Sequence, residues 1–186
     1  MFYHTHKNST SKKTPYFYVN YTKIKLIGMI LRIRNCDPII KEAVRAYVGF
    51  AGPILFGRRL SKNIKVSICF SNKISDCGSA MPNDEKYYPR SFLIHLHSDS
   101  KYTETLQTLG HELTHTKQFA RGELRYPSTG HTVWHNKLYK DEEVAYYREP
   151  WEIEAFGEGY CLTQLFFEEL PQYHPKLRAK ILTHSS

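Results

Sequence analysis

Three things are scarce in this sequence, and each scarcity closes a class of answers. Cysteine is the first: Cys36, Cys69, Cys77 and Cys161 are all there is, and they form no Cys-x-x-Cys pair. A zinc ribbon is therefore not encoded. Cys69 lies in an apolar run and Cys161 in a helical pattern, so buried free thiols in a reducing cytosol are expected. Long apolar runs are the second. The segment 24–33 is interrupted by Lys25 and Arg32 and falls short of the ~20 residues of a membrane helix. The polar, long amino-terminal stretch does not resemble a signal peptide. A soluble, cytoplasmic protein with no membrane partner is expected. Repeats and long linkers are the third, so the chain reads as one domain.

Charge is plentiful but not concentrated. The 186 residues carry 26 Lys and Arg against 18 Asp and Glu, a net charge of +8. Apart from Lys12-Lys13, Arg58-Arg59 and the stretch 23–34, these cations are scattered. No basic segment is interleaved with aromatics as in nucleic-acid modules, so a mildly basic solvated surface is expected and nucleic acid is the weaker alternative partner. Apolar residues make up 41% and aromatics 14%, enough for a folded core.

One stretch is dense with chemistry: His111-Glu112-Leu113-Thr114-His115. On an α-helix, residues i and i+4 share a face, so both imidazoles can reach one ion at about 2.0–2.1 Å. Glu112, one step round, can hold a metal-bound water and take its proton. Leu106, Leu109, Leu113 and Ala120 supply the apolar stripe of such a helix. Asp99 and Ser100 are its candidate caps and Gly122 its stop. Gly110 would weaken it by about 1 kcal/mol relative to Ala, and suggests that a neighbouring element packs closely there. The bland alternative is two surface histidines on a polar helix face.

Around this motif the sequence predicts an α+β domain over 29–175, preceded by a basic, flexible segment 1–28 and followed by a polar tail 176–186. Residues 16–33 alternate as one or two strands, and Met29 is an alternative translation start. Pro38, capped by Asp37, opens a helix that breaks at 49–57. Residues 64–70 and 91–98 alternate as strands, with a turn-rich loop over 72–90 between them. His95 and His97 share one strand face and are lesser ligand candidates. Residues 130–139 suggest a short strand or hairpin arm. Pro150 starts a helix ending before Pro171.

A catalytic zinc takes three protein ligands and keeps a position for water. Glu152, Glu154 and Glu158 follow Pro150. Glu152 shares its helix face with Ala155 and Gly159, whose small side chains permit close approach. Glu154 shares a more polar strip with Glu158, Cys161 and Leu165. Glu152 is thus favoured as third ligand with Glu154 still open, and the other carboxylate would accept from a ligand histidine.

His111-Glu112-Leu113-Thr114-His115 followed by a Glu-x-x-Ala helix resembles the gluzincin-type zinc metallopeptidases. HELTHTKQFARGEL, VWHNKLY and YYREPWEIEA are similar to small metallopeptidases of tailed bacteriophages and bacteria, distantly similar to SprT-like proteins. The likeness covers about residues 64–170. It implies a zincin-like fold, with a short mixed or antiparallel sheet packed on the motif helix and a second, C-terminal ligand helix. It also implies one Zn2+ per chain held by His111, His115 and Glu152, Glu112 as base, and a peptide or protein substrate. A phage-infected host cell is a setting it suggests. Phe156 stands where gluzincins often carry an Asp that orients a histidine, so that orientation must come from elsewhere. Oxyanion donors are sought among Tyr146, Tyr147, His131 and His135. The 91–98 strand is a candidate edge for pairing with an extended peptide. The rival readings are a non-catalytic zinc protein and a DNA-associated protease.

Overall fold

Alternating apolar residues in mid-chain build the sheet on which the helices lean. The computed structural model describes residues 29–127, 130–140 and 144–183, so expectations for 1–28 and 184–186 lie outside the described residues. Strands β1 (Ile30–Arg34), β2 (Lys65–Ser71), β3 (Gly78–Pro82) and β4 (Ser91–His97) form a mixed sheet in the order β1-β2-β4-β3. β1, β2 and β4 run parallel, and β3 is antiparallel at the edge. Register sets Val66 beside Phe92, Ile68 beside Ile94 and Phe70 beside Leu96, and all six are buried. The strands expected at 64–70 and 91–98 are therefore present. The expected loop at 72–90, however, contains β3, whose small, half-exposed residues gave no alternating pattern to read.

Asp37 caps α1 (Pro38–Ser61) as its position suggests, its Oδ1 accepting from the Ile39 and Ile40 amides at 2.7 and 3.0 Å. The break expected at 49–57 is confined to Gly57, with φ of 68°. Phe50, Ala51, Leu55 and Phe56 are buried, and that burial outweighs the helix-weakening Gly49, Gly52 and Pro53. Helix α2 (Tyr102–Arg121) carries the histidine motif. Its N-cap is Lys101, whose amide donates to Glu104 Oε2 at 3.3 Å, rather than Asp99 or Ser100. Gly122, with φ of 69°, ends it in a left-handed turn as expected.

Helix α3 (Pro150–Tyr173) runs through Pro171, where the sequence predicts a stop. The expected polar tail then folds as α4 (Pro175–Thr183). Leu177 and Ile181, one turn apart among basic residues, are 3% and 0% exposed, and burying each contributes about 2 kcal/mol. Between α2 and α3 lies an antiparallel sheet of β5 (Leu124–Arg125), β6 (His131–Trp134) and β7 (Lys137–Lys140). The β6–β7 turn is of type I′, with positive φ at both His135 and Asn136.

The layers follow: α2 packs on β3 and β4 with one side and on α3 with the other, while α1 and α4 flank the helices. The architecture is α+β with four helices among the described residues. None of them is long and apolar enough to cross a membrane. All four cysteines are free, but only Cys36 and Cys69 are partly buried. Cys77 and Cys161 are exposed, contrary to expectation.

Candidate metal centre

Helical periodicity puts His111 and His115 on one face of α2, and their Nε2 atoms lie 3.0 Å apart. Glu152, in the first turn of α3, completes a triangle: Oε2 is 3.2 Å from His111 Nε2 and Oε1 is 3.2 Å from His115 Nε2. Tetrahedral bonds of the usual zinc lengths hold ligand atoms about 3.3 Å apart. The three side chains are thus spaced to share one ion, and they form the only His/Cys/Asp/Glu group of that kind among the described residues.

The chemistry of the set agrees. Among the described residues, Glu152 Oε2 is buried and finds no partner beyond the facing His111 Nε2, 3.2 Å away. A buried carboxylate and two imidazole nitrogens that face one another need positive charge between them. Burial alone would raise the Glu152 pKa; hydrogen bonds from His111 and His115 outweigh it and hold the group at about 2. Glu152 is therefore the carboxylate that meets the histidines, as its helix face favours.

Close approach of α2 and α3 is what makes the triangle. A Cβ on Gly110 would lie 2.9 Å from the Gly159 carbonyl oxygen, and one on Gly159 would lie 2.6 Å from the His111 amide nitrogen. Gly110 thus has the role its odd position in the helix suggests. Tyr47 of α1, fully buried, braces the same crossing through a 2.9 Å hydrogen bond to Thr163.

Glu154 has a different place from the one expected: it does not accept from a ligand histidine. Gln118 stands between them. His115 Nδ1 and Gln118 Oε1 are 2.8 Å apart, and Gln118 Nε2 donates to the Trp151 carbonyl at 2.9 Å and to Glu154 Oε2 at 3.0 Å. With its amide donors engaged this way, Gln118 offers only its oxygen, so Nδ1 of His115 carries the proton and Nε2 is left as a donor for metal. The sequence signal was available, because Gln118 is three residues after His115 on the same face. Lys117, 4% exposed, pairs with Glu154 at 2.7 Å and with Glu158. His111 instead has the Phe156 ring, with centroids 4.5 Å apart, where a carboxylate was sought.

Glu112 is 4% exposed and lines a cleft beside His111. Burial raises its pKa to about 7; His115 opposes the rise, while Glu152 and Asp76 add to it. Gly78 at the start of β3 makes room for it, since a Cβ there would be 3.1 Å from Glu112 Oε1.

No family model matches the chain, and neither a curated protein nor a solved structure does.

The remaining candidates separate cleanly. Tyr146 and Tyr147 line the cleft, and the Tyr146 phenol, pushed up first by burial and then by Glu152, hydrogen-bonds to that carboxylate. His131 and His135, in β6 and its turn, do not line it. His95 and His97 lie on the half-buried face of β4, and His97 Nδ1 accepts from the Asp99 amide at 3.2 Å. Strand β4 is paired on both sides, so it offers no edge to a peptide; that edge belongs to β3.

Proposed function

We propose that the protein is a zinc-dependent peptidase, akin in chemistry to gluzincins, that cleaves peptide bonds with His111, His115 and Glu152 as ligands and Glu112 as general base. The observation that carries this reading is the convergence of three buried donors on one point, with a fourth group, the Glu112 carboxyl, beside them that is not part of the triangle. A purely structural site has no use for that fourth group.

Zinc, when bound, supplies Lewis acidity to a carbonyl and lowers the pKa of water toward about 7. The work of the chain is to place and move protons. Glu112, with a pKa near 7, can take a proton at its carboxylate during attack and return it to the departing amine. Tyr146 stays protonated and is a phenol able to turn from Glu152 toward a developing oxyanion. Gln118 holds His115 in the tautomer that a metal requires. An extended substrate can pair with the edge of β3, open among the described residues, which begins beside Glu112.

The test is elemental analysis of protein prepared with excess zinc, alongside hydrolysis of an unfolded protein such as casein. One zinc per chain and measurable cleavage are expected, and both should vanish when His111 and His115 are replaced by Ala. A folded, zinc-replete preparation containing no metal would refute the reading.

A further inference from the structure

The cleft beside the candidate centre has a volume of about 690 Å³ and two unlike walls. Its floor is one face of α2, with Glu104, Thr108, His111 and Glu112. One wall is aromatic: Phe156 and Tyr160 come from α3, and Tyr146 and Tyr147 from a 3-10 turn (Tyr146–Arg148). Phe156 contacts Tyr146 and Tyr147 at 6.2 and 5.7 Å between centroids, and Tyr147 is still 76% exposed. The other wall is the segment 75–78 leading into β3, and it carries Asp76.

Charge in this cleft runs against the rest of the chain. The net charge is +8, yet among the described residues no Lys or Arg lines the cleft, and the charged residues that do, outside the centre, are Asp76 and Glu104. Exposed aromatic surface gathered in one place marks a surface that meets a partner. Tyrosine faces also attract cations, so both walls favour the same kind of group from opposite sides. Phosphates would be repelled by the carboxylates, which argues against nucleic acid here.

We propose that this cleft recognises a peptide segment with a Lys or Arg side chain next to a large apolar one. The cation sits toward Asp76 and Glu104, and the apolar group rests on Phe156 and Tyr147. That the segment is then cleaved rests on the peptidase reading above; its recognition does not.

Fluorescence anisotropy with zinc-loaded Glu112→Gln protein tests recognition apart from turnover. The probes are labelled nonapeptides of Gly and Ala carrying Arg-Phe, Glu-Phe or Arg-Ala at their centre, and a labelled oligothymidine. The Arg-Phe peptide should bind at least about tenfold more tightly than Glu-Phe, with Arg-Ala between them. Asp76→Lys, at an exposed position, should shrink or reverse that order. Equal binding of Arg-Phe and Glu-Phe, tighter binding of the oligonucleotide, or no binding at all overturns the proposal. If Arg-Phe is preferred but the parent protein does not cleave it, recognition stands and the peptidase reading falls. Cleavage without charge preference has the opposite meaning.

Discussion

Glu112 sits where a carboxylate is costly, nearly sealed from water and close to Glu152 and Asp76. The same surroundings that lift its pKa make it a competent proton acceptor near neutrality. On the proposed reading its neighbours in the triangle would bind metal and Glu112 would move protons, and substitution separates the two roles. Glu112→Gln keeps size and hydrogen-bonding capacity, so bound zinc should be unchanged by elemental analysis while hydrolysis falls by about 10²–10⁴-fold. A variant that turned over substrate like the parent would reduce Glu112 to a buried structural group. Gln118 gives the complementary outcome. Gln118→Ala removes the acceptor that orients His115, and zinc affinity measured against a chromogenic chelator should weaken about 10–100-fold. The fold should survive, as judged by circular dichroism, with some loss of stability because Glu154 and the Trp151 carbonyl lose a donor.

At the scale of elements, helix ends decide more than helix middles. Asp37 both caps α1 and accepts from the Tyr102 hydroxyl at 2.7 Å, tying the start of α1 to the start of α2. Burial would raise its pKa, but the bonds from Tyr102, Ile40 and Ile39 prevail and hold it below the ordinary 3.8. A group depressed in the folded state stabilises above its unfolded pKa, and that contribution is lost as pH falls through the folded pKa. Asp37→Asn should therefore lower stability by about 0.5–1 kcal/mol at neutral pH, and the gap from the parent should close below pH 3.8 in urea titrations. A gap that persisted in acid would remove the charge from the explanation. Elements with strong local signals were legible in this chain: the cap at Asp37, the alternation of β2 and β4, the stop at Gly122. Those decided by tertiary burial were not. Helix α1 passes Pro53 because Phe50 and Leu55 are buried beside it, and α4 forms because Leu177 and Ile181 find a core that its basic residues conceal.

For the molecule as a whole, the candidate centre was legible because two ligands and the base share five residues, and Glu152 follows a proline that starts a helix. Lys117 was harder, since its partners Glu154 and Glu158 lie on another helix and no local pattern announces them; for Gln118 the local spacing pointed to His115 but not to Trp151 or Glu154. Even β3, which shapes the mouth of the cleft, owes its strand state to pairing with β4 rather than to its own residues. The arrangement of the ligands has a mechanical side. His115 belongs to α2 and Glu152 to α3, and everything from β5 to the 3-10 turn is an excursion of chain strung between them. An ion held at both ends would act as a clasp on that excursion, cutting the conformational freedom it regains whenever α2 and α3 part. Chelation should then be felt away from the centre: amides in β6 and β7 should exchange with deuterium faster, while those in β2 and β4 keep their pace. On this view a bound ion would help fasten the small antiparallel sheet to the rest of the protein, beside the packing of Trp134 and Tyr139 on Trp151.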